Sequence, residues 1–104
     1  MEFALRLYVS GHTPNSVRAI SAIKRLLDAE FQDMYSLDII DVLKKPHMAY
    51  EDGILVTPTL LRLMPLPVKR VIGDLASADK VRRGLQIQAP SFDGVRSNRV
   101  RQEA

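Results

Sequence analysis

Cysteine and tryptophan are both absent from these 104 residues. Without cysteine, disulfides, thiolate metal sites and thiol redox chemistry are excluded, and cysteine usage gives no clue to the compartment. Histidine is scarce, so imidazole chemistry has only His12 and His47 to draw on. No apolar run approaches the roughly 18 residues that cross a bilayer, and no charged, apolar, small-residue leader is visible. The expectation is a soluble cytoplasmic protein with no membrane segment. Neither sign of charge dominates, because 15 basic residues stand against 12 acidic ones for a net +3. Part of that excess sits near the end, where Arg96, Arg99 and Arg101 face only Asp93 and Glu103. A chain of this length makes one domain that buries about two thirds of its unfolded surface, enough for a modest core without staples.

The stretch Ile54 to Asp74, ILVTPTLLRLMPLPVKRVIGD, organises the rest. Pro58, set between two apolar runs, cannot donate to a sheet ladder and therefore opens a strand. A second run, Val68 to Ile72, follows the connection Met64-Pro65-Leu66-Pro67, and Gly73-Asp74 leads towards a helix. Upstream, Phe3 to Ser10 alternates Phe3, Leu5, Leu7 and Val9 with Ala4, Arg6 and Tyr8, the period of a strand with one buried face. Gly11 then supplies a turn, Thr13 an N-cap and Pro14 a first helical residue whose missing N–H costs nothing. Val17, Ile20, Ile23, Leu27 and Phe31 recur at steps of three and four, which predicts an amphipathic helix ending near Phe31.

Ser36 to Val42 reads as a second strand, parallel to the first in a right-handed βαβ unit. Lys44 to Asp52 reads as a marginal helix between Pro46 and Gly53. Ser77 to Gln88 reads as the last helix, with Ser77 as its cap and Gly84 inside it. From Ala89 neither periodicity survives, which predicts residues 1–88 as the domain and 89–104 as a disordered basic tail. The order is βαβαββα, an α/β domain of thioredoxin-like form with a cis proline at the third strand. The place where such enzymes carry a nucleophilic cysteine reads Gly11-His12-Thr13-Pro14-Asn15, with no reactive thiol.

The runs LYVSGHTPNSVRAI (Leu7 to Ile20), IIDVLKKP (Ile39 to Pro46), ILVTPTLLRLMPLPVKRVIGDL (Ile54 to Leu75) and DKVRRGL (Asp79 to Leu85) closely resemble the KaiB family. These are circadian clock proteins of cyanobacteria, with relatives in other bacteria. The resemblance spans Phe3 to about Ile87, and the conjunction of GxTPNS, TPTL and PLPVxRxIGDL is highly specific. It implies a metamorphic protein whose second half, from about Lys45, exists either as βαββααβ in a ground-state homotetramer or as a thioredoxin-like monomer; from the sequence alone a dimer is equally open. It further implies a non-enzymatic adapter without cofactor or metal, which binds a KaiC-like ATPase and modulates its cycle. KaiA or a histidine kinase would then be a further partner.

Residue by residue, the resemblance makes Arg18 and Arg70 basic contacts with KaiA or the ATPase ring. It makes Gly84 a switch position whose change to alanine favours the thioredoxin-like state, as helix propensity also predicts. Tyr8 lies on the first strand within a matching run, and Pro58 is the strand-opening proline. The cyanobacterial pattern carries lysines where this chain has Asp38 and Gly53, and an acidic tail where this one is basic. Such changes of charge at an interface redirect specificity, so a diverged KaiC is the expected partner. The alternative is a KaiB-fold stress or signalling protein that has lost KaiC binding.

Blander readings compete with other functions. His12 fits a solvated turn better than a general base or metal ligand. Asp38, Asp41, Glu51 and Asp52 fit strand ends and a helix surface better than a metal site. Three tail arginines without interleaved aromatics argue against nucleic-acid binding. An enzyme or small-molecule binder on this scaffold would need a nucleophile, a phosphate loop or an acid–base pair, and none is evident.

Overall fold

Leu5, Leu7 and Val9 all turn to one side of β1 (Phe3–Val9), as their alternation requires, and the domain is layered around that strand. The structure, a computed structural model, describes residues 3–32 and 34–86. The elements that follow are α1 (Pro14–Phe31), β2 (Tyr35–Asp41), α2 (Pro46–Glu51), β3 (Thr59–Met64), β4 (Lys69–Ile72) and α3 (Ala78–Leu85). This is the βαβαββα order read from the sequence. The tail expected over 89–104 lies outside the described residues.

The sheet runs β2-β1-β3-β4, with β1 parallel to β2 and antiparallel to β3, and β3 antiparallel to β4. One face is the main core, where Leu5, Leu7, Val9, Leu60 and Val71 meet Ile23, Leu26 and Leu27 of α1 and Val81 and Leu85 of α3. The opposite face is smaller. There Tyr8, Ile40 and Leu61 pack on Ala49 of α2. Among the described residues no helix is long and apolar enough to cross a membrane.

Two local expectations change. The α1 stripe is rotated, so that Ser16, Ala19, Ile23, Leu26 and Leu27 are buried while Val17 is 50% exposed. The cause is at the cap: Thr13 accepts from the Ser16 amide, and the inward Ser16 hydroxyl accepts from the Ser10 amide at 3.1 Å and the Thr13 hydroxyl at 2.8 Å. An inward serine turns the next residue out. Pro58, read as opening a strand, directly precedes β3, and the run Ile54 to Val56 forms the loop before its cis Thr57–Pro58 peptide. The last helix ends at Leu85 rather than Gln88, with Gln86 in the left-handed region at φ 59°.

Candidate functional site

On the face that α2 covers, side chains from two strands converge on Asp52, the C-cap of α2. Tyr8 and Arg6 share one face of β1 because they are two residues apart. The Tyr8 hydroxyl donates to Asp52 Oδ2 at 2.5 Å and to the Met48 carbonyl at 3.1 Å, and Arg6 reaches the same Oδ2 at 3.0 Å. From β4, Arg70 donates to the carbonyls of Asp52 at 2.7 Å and Gly53 at 2.9 Å, capping the orphaned carbonyls at the end of α2. Gly53 carries the chain away at φ +66°, a conformation open to glycine without penalty.

The electrostatics follow from that geometry. Partial burial opposes ionisation of Asp52, but the hydrogen bonds from Tyr8 and Arg6, with the charges of Arg6 and Arg70, outweigh it and hold the carboxyl below its ordinary range. Burial, reinforced by Asp52, pushes the Tyr8 phenol up. A second low-pKa carboxylate, Asp41, ends β2. Its Oδ1 accepts from the Leu43 amide at 2.9 Å and the Gly11 amide at 3.0 Å, which lowers its pKa and ties the β1–α1 turn to the sheet.

Several large apolar side chains in the stretch from Leu43 to Val56 are exposed. Tyr50 is 87% exposed and Leu55 93%, with Leu43 and Val56 also turned outward. A cavity of about 200 Å³ is lined by Leu55 and Val56 together with Val42, Ala49, Ile54 and Thr57.

The residues singled out from the sequence therefore divide. Tyr8, Gly53 and Arg70 are brought together at Asp52. Arg18 and Pro58 line a different cavity, on the α1 side. Asp38 is exposed on β2, the strand at one edge of the sheet. Gly84 sits in α3 against β4, where an added Cβ would stand 2.6 Å from Val71 Cγ2. The propensity argument for Gly84→Ala is thus incomplete, because a buried, β-branched valine must move first.

Sequence reasoning missed three residues. Arg6 was read as a mere outward alternation, and Asp52 as helix surface. Arg62 was not singled out at all, yet it is 5% exposed and donates to the Leu85 carbonyl at 2.7 Å and the Pro67 carbonyl at 3.0 Å. A charged residue inside the apolar run LLRLM was the available signal.

The hydroxyls nearest the thioredoxin cysteine position, Ser10, Thr13 and Ser16, bond one another and Thr57. Among the described residues no group of three acidic, His or Cys side chains could hold a metal.

Fold and site together define a thioredoxin-like α/β domain that has no cysteine and leaves large apolar side chains exposed beside α2. Residues 6–87 match the KaiB domain model. The chain is 55% identical over 85 residues to the circadian clock oscillator protein KaiB of Synechococcus elongatus, covering 82% of this chain and 83% of that one. It is 53% identical to KaiB1 of Synechocystis over 82% of this chain and 81% of the relative. The chain belongs to the KaiB family, whose named relatives are clock oscillator proteins. Among solved structures, the N-terminal domain of Synechococcus elongatus SasA superposes with a TM-score of 0.68 at 27% identity, covering 88% of this chain and 90% of that domain. Yeast mitochondrial thioredoxin 3 superposes at 0.66 with 15% identity over 82% of this chain and 77% of its own, a likeness of fold alone.

Proposed function

We propose that this chain is a non-enzymatic clock or signalling adapter that binds a KaiC-type ATPase through the α2 face and modulates its phosphorylation or ATPase cycle. The observation that carries the reading is the pinned α2, whose end is held by Tyr8, Arg6 and Arg70 beside the exposed Tyr50 and Leu55, in a chain of the KaiB family. A helix fixed in this way presents its apolar neighbours at low entropic cost, the condition for a usable docking surface. KaiA or a histidine kinase is the further partner of the complex, and the chain itself takes part as the thioredoxin-like form.

The test is co-elution with the KaiC-like ATPase of the same organism, with ATP, over several hours. Wild type should shift the ATPase peak. Leu55→Asp should abolish the shift without loss of fold, as judged by circular dichroism, because Leu55 makes no use of the core. Arg70→Glu should abolish it too, through release of α2. No shift with a phosphomimetic ATPase would instead favour a KaiB-fold signalling protein that has left KaiC, a reading supported by the exposed carboxylate of Asp38.

A further inference from the structure

Arg62 of β3 points, like Leu60 two residues before it, to the main-core side of the sheet, and only 5% of it is exposed. Its guanidinium forks between two chain segments. It donates to the carbonyl of Leu85, the last residue of α3, at 2.7 Å and to that of Pro67, in the β3–β4 connection, at 3.0 Å. Nε is buried without a partner, and among the described residues no carboxylate lies within ion-pair distance of this side chain. A charge buried against neutral carbonyls alone is costly, and apolar replacements of buried charged groups are often neutral or stabilising. A methionine or leucine would continue the run Leu60-Leu61 without that cost. What the arginine adds is the connection it makes.

The helix at the end of that connection has few other ties. Eight residues are too few to stay helical alone, so for α3 leaving the sheet and unfolding are one event. Val81 and Leu85 are its buried side chains, and Gly84 lies against Val71. A second polar tie, Arg82 to Glu30, is long at 3.5 Å. Leu75, 3% exposed, pins the chain just before the helix. At its other end the Gln86 amide closes the carbonyls of Arg82 and Arg83, and Arg62 closes that of Leu85.

We infer that Arg62 is the latch of an opening helix: α3 leaves the sheet as one unit, hinged after Leu75, while β1 to β4, α1 and α2 stay folded. The fork sets how often this happens. Without it two buried carbonyls lose their donor, and opening α3 is the local way to give them water, whereas the rest of the domain is relieved of a buried charge. Opening uncovers Val71 and the seats of Val81 and Leu85. It is the movement of one helix, distinct from any exchange of the whole second half from Lys45.

The test is native-state hydrogen exchange by NMR at increasing, sub-denaturing urea. In wild type, amides of residues 81–85 should exchange through an opening with a smaller urea dependence than those of β3, β4 and α1. In Arg62→Met they should exchange at least about tenfold faster, the fold-change for a lost hydrogen bond to a charged group, while β1 and α1 amides change by no more than about threefold. Arg62→Lys keeps the charge without the planar fork and carries the same comparison if the methionine variant does not fold; its α3 amides should be accelerated by a smaller factor. One opening shared by α2, β3, β4 and α3 in wild type overturns the inference. So does equal acceleration throughout the domain in the variant that folds, or α3 exchange that stays at the wild-type rate in it.

Discussion

At the scale of single residues, Asp52 shows how a partly exposed carboxylate can organise a surface. Its depressed pKa means that the folded state binds a proton there less readily than the unfolded chain does. The stability it contributes is therefore present above the unfolded pKa of about 3.9 and is lost as pH falls through the lower folded value; Asp41 acts in the same direction. Tyr8 acts at the other end. Its raised pKa gives a contribution present below the unfolded value of about 10 and lost as pH rises beyond it. Urea midpoints should accordingly hold a plateau between about pH 5 and 9. In Asp52→Asn the acid limb should become shallower, and an unchanged limb would remove Asp52 from the account. Tyr8→Phe should cost about 1.5–3 kcal/mol at pH 7, the range for a hydrogen bond to a charged group whose partner is left behind. Equilibrium unfolding measures that directly.

At the scale of elements, α3 and α2 are the weak members, for different reasons. In α3, alanine in place of Gly84 gains about 0.5–1 kcal/mol of helix propensity. The same methyl would stand 2.6 Å from Val71 Cγ2, a contact that forces β4 or the valine rotamer to yield. The two terms oppose each other, and the coupling between the positions is what separates them. In a double-mutant cycle, Gly84→Ala should be more favourable in a Val71→Ala background than in wild type by about 1 kcal/mol; additivity would show that the close approach is relieved without cost.

The weakness of α2 has another origin. It has six residues, one buried side chain, Ala49, and no side-chain N-cap. Its amides should exchange with deuterium through a local opening well before those of β1 and α1, and protection equal to that of β1 would contradict this. Arg70 bears on the same opening because it holds the carbonyls at the helix end.

At the scale of the whole molecule, the four-stranded sheet separates two surfaces. Among the described residues, one side is closed by two helices and a twelve-residue buried cluster, whereas the other is covered by α2 alone, with a four-residue cluster beneath. The thinner side is the one that exposes Tyr50 and Leu55, and this asymmetry places the ATPase-binding proposal there. Of the two positions where the family resemblance leads one to expect lysine, only Asp38 can take one without backbone strain. Asp38→Lys changes an exposed strand residue, and its stability should stay within about 0.5 kcal/mol of wild type. Gly53→Lys puts a side chain at φ +66° and should cost about 1–2 kcal/mol in thermal unfolding. Any gain in ATPase binding should therefore be sought with Asp38→Lys first.

The order βαβαββα was legible in the chain itself, because alternation over Phe3 to Val9, the Thr13-Pro14 helix start and the proline at 58 are local signals set by backbone chemistry. The KaiB resemblance was legible for the same reason, as runs of contiguous residues. What only tertiary structure decided is which distant residues meet. Arg6 and Tyr8 lie more than forty positions from Asp52, and β1 could bring them there only once α2 was laid across its face. Arg62 has no partner within its own strand; the carbonyl it donates to, that of Leu85, arrives with the end of α3. Gly84 looked like a helix defect until Val71 filled the space its missing side chain leaves. Periodicity fixes the face on which a side chain lies, whereas its partner depends on the packing of separate elements, and that information is not contained in any one stretch of the chain.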